Sequence, residues 1–244
     1  VNLTNKGGNI EAIRLKQHDY LAPVKGLLNF DVLEASQFDI ERISDEKLRL
    51  IHQGSGLRVV KEISLSANYT ITAQITIKNI SGSPKPFSGK RTNFIVDTSR
   101  LDTHNVQSDY MLYEYSIKTD KRIIRKDNAR SFTDKWNKEE SATVEWAAFR
   151  DKYFVTIVQP NVADQNYIIK SFSDKELFMG ASSLPRIIDA GQEISYEYKI
   201  FAGPQRLDLL SRAGASFDKV MVFSNWGWLD AISKAIYWLL GAIH

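Results

Sequence analysis

Tyr69 to Lys78 reads YTITAQITIK, and its alternation decides the fold class. Ile71, Ala73, Ile75 and Ile77 fall on one side of an extended chain, and Thr70, Thr72, Gln74 and Thr76 on the other, because successive side chains of a strand point to opposite faces. Such a strand buries one face only. Period-two patterning continues on both sides of it. Upstream, Val1 to Thr4, the Gly7-Gly8 turn and Asn9 to Gln17 read as an opening hairpin. After a loop containing Pro23 come Asn29 to Glu34, Gln37 to Ile43, Lys47 to His52 and Leu57 to Ser66. Downstream, Ser81 to Pro86 (SGSPKP) is a turn-rich break. Extended patterning resumes in Phe87 to Val96, Tyr110 to Lys118, Val144 to Gln159, Tyr167 to Phe172, Glu176 to Met179 and Glu193 to Phe201. About a dozen short strands with almost no intervening helix predict a large antiparallel β-sandwich.

Composition agrees with one large domain. The chain has 244 residues, of which 43% are hydrophobic, enough for a proper core. No segment approaches the eighteen apolar residues of a membrane span, so any spanning helices lie outside this sequence. The absence of cysteine excludes disulfides and thiolate metal sites and is neutral between cytoplasm and periplasm. A net charge of +3 is too small to suggest a nucleic-acid partner.

Gly203-Pro204 ends the β region, and Pro204 suits the first turn of a helix. Leu207, Leu210, Phe217 and Val220 give Gln205 to Val222 a helical stripe interrupted at Gly214. The expected division is therefore a β-sandwich over residues 1–203 and a helical segment over 204–244. The last nineteen residues, WGWLDAISKAIYWLLGAIH from Trp226, form one strongly amphipathic helix. Asp230, Lys234, Tyr237, Gly241 and His244 make a narrow polar seam. Trp226, Trp228, Leu229, Ile232, Ile236, Leu239, Leu240 and Ile243 supply the apolar face. About fourteen uninterrupted helical residues are too few to cross a bilayer, but they suit a helix lying in a membrane surface. In water such a face is expected to cover itself against the domain or a neighbouring molecule. The abrupt ends, with no initiator methionine, signal peptide or polar tail, predict an excised domain.

The middle of the chain, Lys118 to Lys138, carries eight Lys or Arg against three Asp. Lys121, Arg122, Arg125, Lys126 and Arg130 are candidates for contact with acidic lipid headgroups or an acidic partner. The alternative is a solvated basic loop anchored by a few hydrophobes.

Chemistry is nearly absent. Gly89-Lys90-Arg91-Thr92 resembles a phosphate loop but lacks the earlier glycine, where Pro84 stands, and Arg91 replaces the hydroxyl residue. His18, His52, His104 and His244 are scattered without an i, i+4 pair, so no metal site is expected. No nucleophile elbow exists, and Gly54-Ser55-Gly56 reads as a hairpin turn. Glu139 and Glu140 sit among lysines that keep them ionised. Asp97, Asp102 and His104 form the nearest polar cluster, equally well explained by a loop after a strand. Neither catalytic residues nor cofactors are expected.

Four stretches, in order, resemble one family. Trp146 to Pro160, WAAFRDKYFVTIVQP, is similar to the W-x-A-x-x-x-x-Y-F strand of the large periplasmic domain of YidC membrane-protein insertases. VNLTNKGGNIEAIRLKQH resembles that domain's first hairpin, and EISYEYKIFAGPQRLDLL its last long strand. NWGWLDAISKAIYWLLGAIH resembles the amphipathic helix before the family's second transmembrane helix. The resemblance runs from Val1 to His244 and is loosest between about Asp19 and Glu145. It implies a β-supersandwich similar to galactose mutarotase-like folds, placed in the periplasm of Gram-negative bacteria and attached to a multi-pass inner-membrane protein. It implies no enzymatic role for this domain. Implied partners are the Sec translocon components SecDF and SecYEG, nascent membrane proteins, and the membrane surface. The alternative is a mutarotase-like carbohydrate-binding or sugar-epimerising sandwich; a third reading is a lipid-surface module.

Overall fold

The computed structural model describes residues 1–87, 90–97, 114–126, 137–161, 164–171, 176–182 and 186–222, together with Ile232, Ser233, Ala235, Ile236 and Leu239. The N-terminal strap holds the short strands β1 (Asn2–Thr4), β2 (Asn9–Ala12), β3 (Arg14–Leu15), β4 (Tyr20–Leu21), β5 (Val24–Lys25) and β6 (Asn29–Phe30). An antiparallel meander follows: β7 (Asp39–Arg42), β8 (Lys47–Gly54), β9 (Leu57–Ser66) and β10 (Thr70–Asn79). Next come β11 (Lys85–Phe87), β12 (Lys90–Asp97), β13 (Glu114–Thr119), β14 (Ile123–Lys126) and β15 (Asn137–Arg150). The β region finishes with β16 (Phe154–Pro160), β17 (Asp164–Ser171), β18 (Glu176–Ser182), β19 (Arg186–Ile188) and β20 (Glu193–Pro204).

Fourteen of these strands share one hydrogen-bonded sheet whose main path runs β5-β12-β18-β17-β15-β16-β20-β10-β9-β8-β7. Its branching comes from β15. Arg150 to Ala147 pair with Val155 to Val158 of β16, and Val144 to Asn137 then pair with Asp164 to Lys170 of β17. The opposite edge of β15 holds β13, so β16 and β17 follow one another along a single edge. Beyond that edge they diverge: β16 pairs with β20 and β17 with β18. Two wings result, β20-β10-β9-β8-β7 and β18-β12 with β5 and β6. A twisted sheet of this many strands cannot stay flat and open. Its apolar faces close instead on one cluster that draws Ile71, Ile75 and Ile200 from the first wing, Val96, Leu177 and Met179 from the second, and Leu27 and Phe30 from the strap. This is the antiparallel sandwich that the alternation predicts.

In β10 the buried positions are Ile71, Ala73, Ile75, Ile77 and Asn79, as the period demands. Asn79 is fully buried, and its side-chain amide donates to the Ser83 and Ile188 carbonyls at 2.8 Å each. These bonds hold the Ser81–Pro86 stretch against the end of the sheet. That stretch is not only a break, since Lys85 and Pro86 enter β11 and pair with β19.

Three other boundaries differ from expectation. Asn29 to Glu34 is a two-residue strand followed by a 3-10 turn, Asp31–Leu33. Val144 to Gln159 is two strands separated at Asp151, whose Oδ1 accepts from the backbone N–H groups of Tyr153 and Phe154 at 2.8 Å. Pro204 does not begin a helix: it ends β20 opposite Phe154, while α1 (Leu207–Ala213) starts three residues on. An edge-tolerant proline at a strand end is compatible with the ladder.

The chain divides into two compact units, Val1–Pro204 and Gln205–His244. In the second, α1 gives way at Gly214 to a 3-10 turn, Phe217–Val220. Leu210, Phe217 and Val220 are buried. The described positions from Ile232 to Leu239 are helical.

Candidate functional site

The most unusual side chain in the first unit is Lys61. Val59, Lys61 and Ile63 share the inward face of β9, and all three are buried. The Lys61 ammonium donates to the backbone carbonyls of Gly7, Gly8 and Leu28 at 2.7, 3.0 and 3.0 Å. It also lies 5.0 Å from the Phe38 ring centre and 5.8 Å from that of Phe30. Three donors thus meet three acceptors from two turns of the strap. Gly7 and Gly8 aim their carbonyls this way by adopting φ of +72° and +60°, a region open to glycine. Burial pushes the Lys61 pKa down to about 7. Enclosed on all sides, this group holds the strap and presents nothing to a ligand.

Other charges are also committed within the fold. Lys25 of β5 bonds Asp97 of β12 at 3.2 Å and pairs with Glu176 of β18. The Glu176 bond, with Asp97 adding to it, raises the Lys25 pKa against the cost of burial. Buried Glu114 accepts from Arg125 at 2.8 Å and Arg150 at 2.9 Å, tying β14 and β15 to β13.

The basic segment is therefore not a loop throughout. Ile123–Lys126 is strand β14, paired with β13. Lys121 and Arg122 are exposed at the turn, where Thr119 Oγ1 accepts from their backbone N–H groups at 3.3 and 3.1 Å. Arg125 is turned to Glu114, Lys126 occupies the end of β14, and Arg130 lies outside the described residues.

Among the described residues, shallow clefts open on the first wing and on the end of β16 beside it. One, of about 230 Å³, is lined by Gln159, Pro160, Asn161, Glu197 and Lys199. The other, of about 320 Å³, is lined by Arg49, Arg58, Val60, Glu62, Thr76, Lys78 and Glu193. Hydrogen bonds from Lys47 and Arg49 hold Glu62 below the usual carboxylate range. Neither lining contains a histidine or an aromatic ring. His18 and His52 stand apart on different strap and sheet elements, and His104 and His244 lie outside the described residues. Among the described residues, no group of His, Asp and Glu is placed to hold a metal ion. Lys90, Arg91 and Thr92 are part of β12 rather than a loop, and Gly54-Ser55-Gly56 makes the β8–β9 turn with positive φ at Ser55 and Gly56. Glu139 and Glu140 lie in β15, and Asp102 is outside the described residues.

Of the apolar helix face, Ile232, Ile236 and Leu239 are described; they are 48%, 52% and 53% exposed. Their spacing of four and three places them on one face. Trp226, Trp228, Leu229, Leu240 and Ile243 lie outside the described residues. Among the described residues no helix is long and apolar enough to cross a membrane.

A branched antiparallel sandwich with an N-terminal strap places the chain in the galactose mutarotase-like fold class. A galactose mutarotase related enzyme from Lactobacillus acidophilus superposes with a TM-score of 0.54 at 11% identity, over 82% of this chain and 93% of that one. The likeness is one of fold. The chain itself belongs to the YidC periplasmic domain family, whose model matches residues 32–239. Among curated relatives, "Membrane protein insertase YidC" of Geotalea daltonii is 24% identical over 96% of this chain and 48% of its own length. That of Burkholderia cenocepacia is 24% identical over 78% of this chain and 34% of its own. The chain thus spans about half, or less, of the relatives it matches.

Proposed function

We propose that this chain is the non-catalytic periplasmic domain of an inner-membrane insertase. It supports the membrane part and offers a docking surface to Sec translocon components, SecDF and SecYEG, while nascent membrane proteins are handled by the parent. The C-terminal helix lies along the periplasmic membrane surface. The observation that carries this reading, beside the family, is the exposed row of Ile232, Ile236 and Leu239. Burying a large apolar side chain is worth roughly 1.5–3 kcal/mol, so even half-burial of this face in lipid yields several kcal/mol. The exposed Lys121 and Arg122 turn is the surface proposed for an acidic partner or headgroup.

Replacing Ile236 and Leu240 with Asp tests the helix. The expected result is loss of liposome binding by the chain and of insertase activity in the full-length parent, with the sandwich still folded. Full binding and full activity in that variant would reduce the helix to a spacer. The fold likeness to a mutarotase related enzyme keeps a sugar-directed reading in view. General acid–base chemistry needs an acid and a base converging on one substrate, and the titratable side chains lining the described clefts are Glu, Lys and Arg. Accelerated mutarotation of glucose by the pure domain would overturn the non-catalytic assignment.

A further inference from the structure

Three turns meet at the end of the sandwich where β20 finishes. One is the β3–β4 turn, another the β9–β10 turn at Tyr69, and the third the β15–β16 turn at Asp151 to Tyr153. Tyr20 stacks on Phe154 with ring centres 4.0 Å apart, and His18 lies edge-on to Phe154 at 5.3 Å. His18 Nε2 and the Tyr69 hydroxyl are 3.2 Å apart. Phe154 pairs with Pro204, the last residue of the first unit, so the chain leaves for its C-terminal segment from this same end.

What this end shows to solvent is selective. In the β3–β4 and β15–β16 turns the carboxylates are engaged: Asp151 accepts from the Tyr20 hydroxyl at 2.6 Å and from two backbone N–H groups, and Asp19 pairs with Arg14. Lys16 and Lys152 are exposed and have no carboxylate partner among the described residues. Tyr153, 59% exposed, stands at the tip with the Lys152 ammonium 5.1 Å from its ring centre. Cations on flexible stems beside an outward tyrosine suit the boundary of an anionic bilayer. There ammonium groups reach phosphates, while the aromatic body enters the interface and keeps its hydroxyl wet.

We infer that this aromatic and lysine-bearing end of the sandwich is a second membrane contact, resting on an anionic phospholipid surface. The inference rests on the reading that the C-terminal helix lies on the membrane: the chain leaves the sandwich for that helix from this end, by way of α1 and a 3-10 turn. Tyr153 and Lys152 then restrain the sandwich over the lipid rather than leaving it swinging from one linker.

Because the chain has no cysteine, single labels are unambiguous. Ala67→Cys, exposed in the β9–β10 turn, and Ile236→Cys would each carry an environment-sensitive fluorophore in the full chain. Vesicles of phosphatidylcholine are compared with vesicles that also contain phosphatidylglycerol. The expected result is that both probes shift to the blue on anionic vesicles. Adding Lys152→Glu and Tyr153→Asp should abolish the Ala67 shift with an unchanged melting profile and leave the Ile236 shift in place. Partition of the unlabelled chain with Lys152→Gln alone should fall about fivefold, the scale of one basic residue near an anionic leaflet. If the Ile236 probe enters lipid and the Ala67 probe ignores every vesicle, this end faces water or a protein partner: the inference fails while the helix reading stands. An Ala67 shift that survives the double substitution would equally overturn it. Silence of both probes would remove the helix reading and this inference together.

Discussion

Lys61 shows how a single buried charge couples a strap to a sheet and makes that coupling depend on pH. Burial lowers its pKa from 10.5 to about 7. Between those values the unfolded chain holds a proton that the folded chain has shed, so this group's contribution to stability rises with pH across that window and is flat outside it. Lys25 acts oppositely. Its pKa is raised by Glu176 and Asp97, so its contribution is present below 10.5 and lost as pH climbs through the higher folded value. Urea midpoints should therefore climb from about pH 7 toward 10.5 and turn down beyond it. Lys61→Met should abolish the climb and cost about 3 kcal/mol near neutrality, because three carbonyls lose their donor inside the fold. A variant with the wild-type pH profile would show that Lys61 is not what titrates. The placement of Lys61 was legible in principle, since it keeps step with Val59 and Ile63 in LRVVKEISLS. Its function was not, because its acceptors come from residues 33 to 54 positions away.

At the scale of the element, alternation is a quantitative claim about which face is dry. Ile75 and Gln74 are neighbours in β10, one fully buried and the other exposed. Ile75→Ala should cost about 2–5 kcal/mol through lost burial and the cavity left behind, whereas Gln74→Ala should stay within about 0.5 kcal/mol. Equal effects would mean that the period does not set the core. At the far end of β20, a Cβ on Gly203 would lie 2.8 Å from the Tyr69 Cβ, an atom fixed to its own backbone. Gly203→Ala should therefore cost about 1–3 kcal/mol, read as a lowered thermal midpoint. The long strands were legible because each carries several periods of its own pattern. The pairs β3–β4 and β11–β19 were not: two or three residues hold no period, and their extension is imposed by partners distant in sequence. Likewise Glu114 reads as one more surface acid until the fold brings Arg125 and Arg150 to it.

For the whole first unit, the branching at β15 predicts how it unfolds. The two wings have no separate cores: one cluster contains Ile75 of β10, Met179 of β18 and Phe30 of the strap. The hydrogen-bonded path from β5 to β7 passes through β15, β16 and β17 without interruption. Losing one wing would strip the apolar face of the other and expose strand edges that cannot stand alone in water. Unfolding of Val1–Pro204 should therefore be a single transition, with calorimetric and van 't Hoff enthalpies in agreement. Trp146 is fully buried in β15, beside the branch, so Trp146→Ala should lower the stability of both wings together by about 3–5 kcal/mol. Hydrogen exchange distinguishes the alternatives: amides of β9 and β10 in one wing, and of β12 and β18 in the other, should lose protection in parallel. If β12 and β18 exchanged freely while β9 and β10 stayed protected, or if two separated thermal transitions appeared within this unit, the wings would be independent and the single core would not be what holds the sandwich closed.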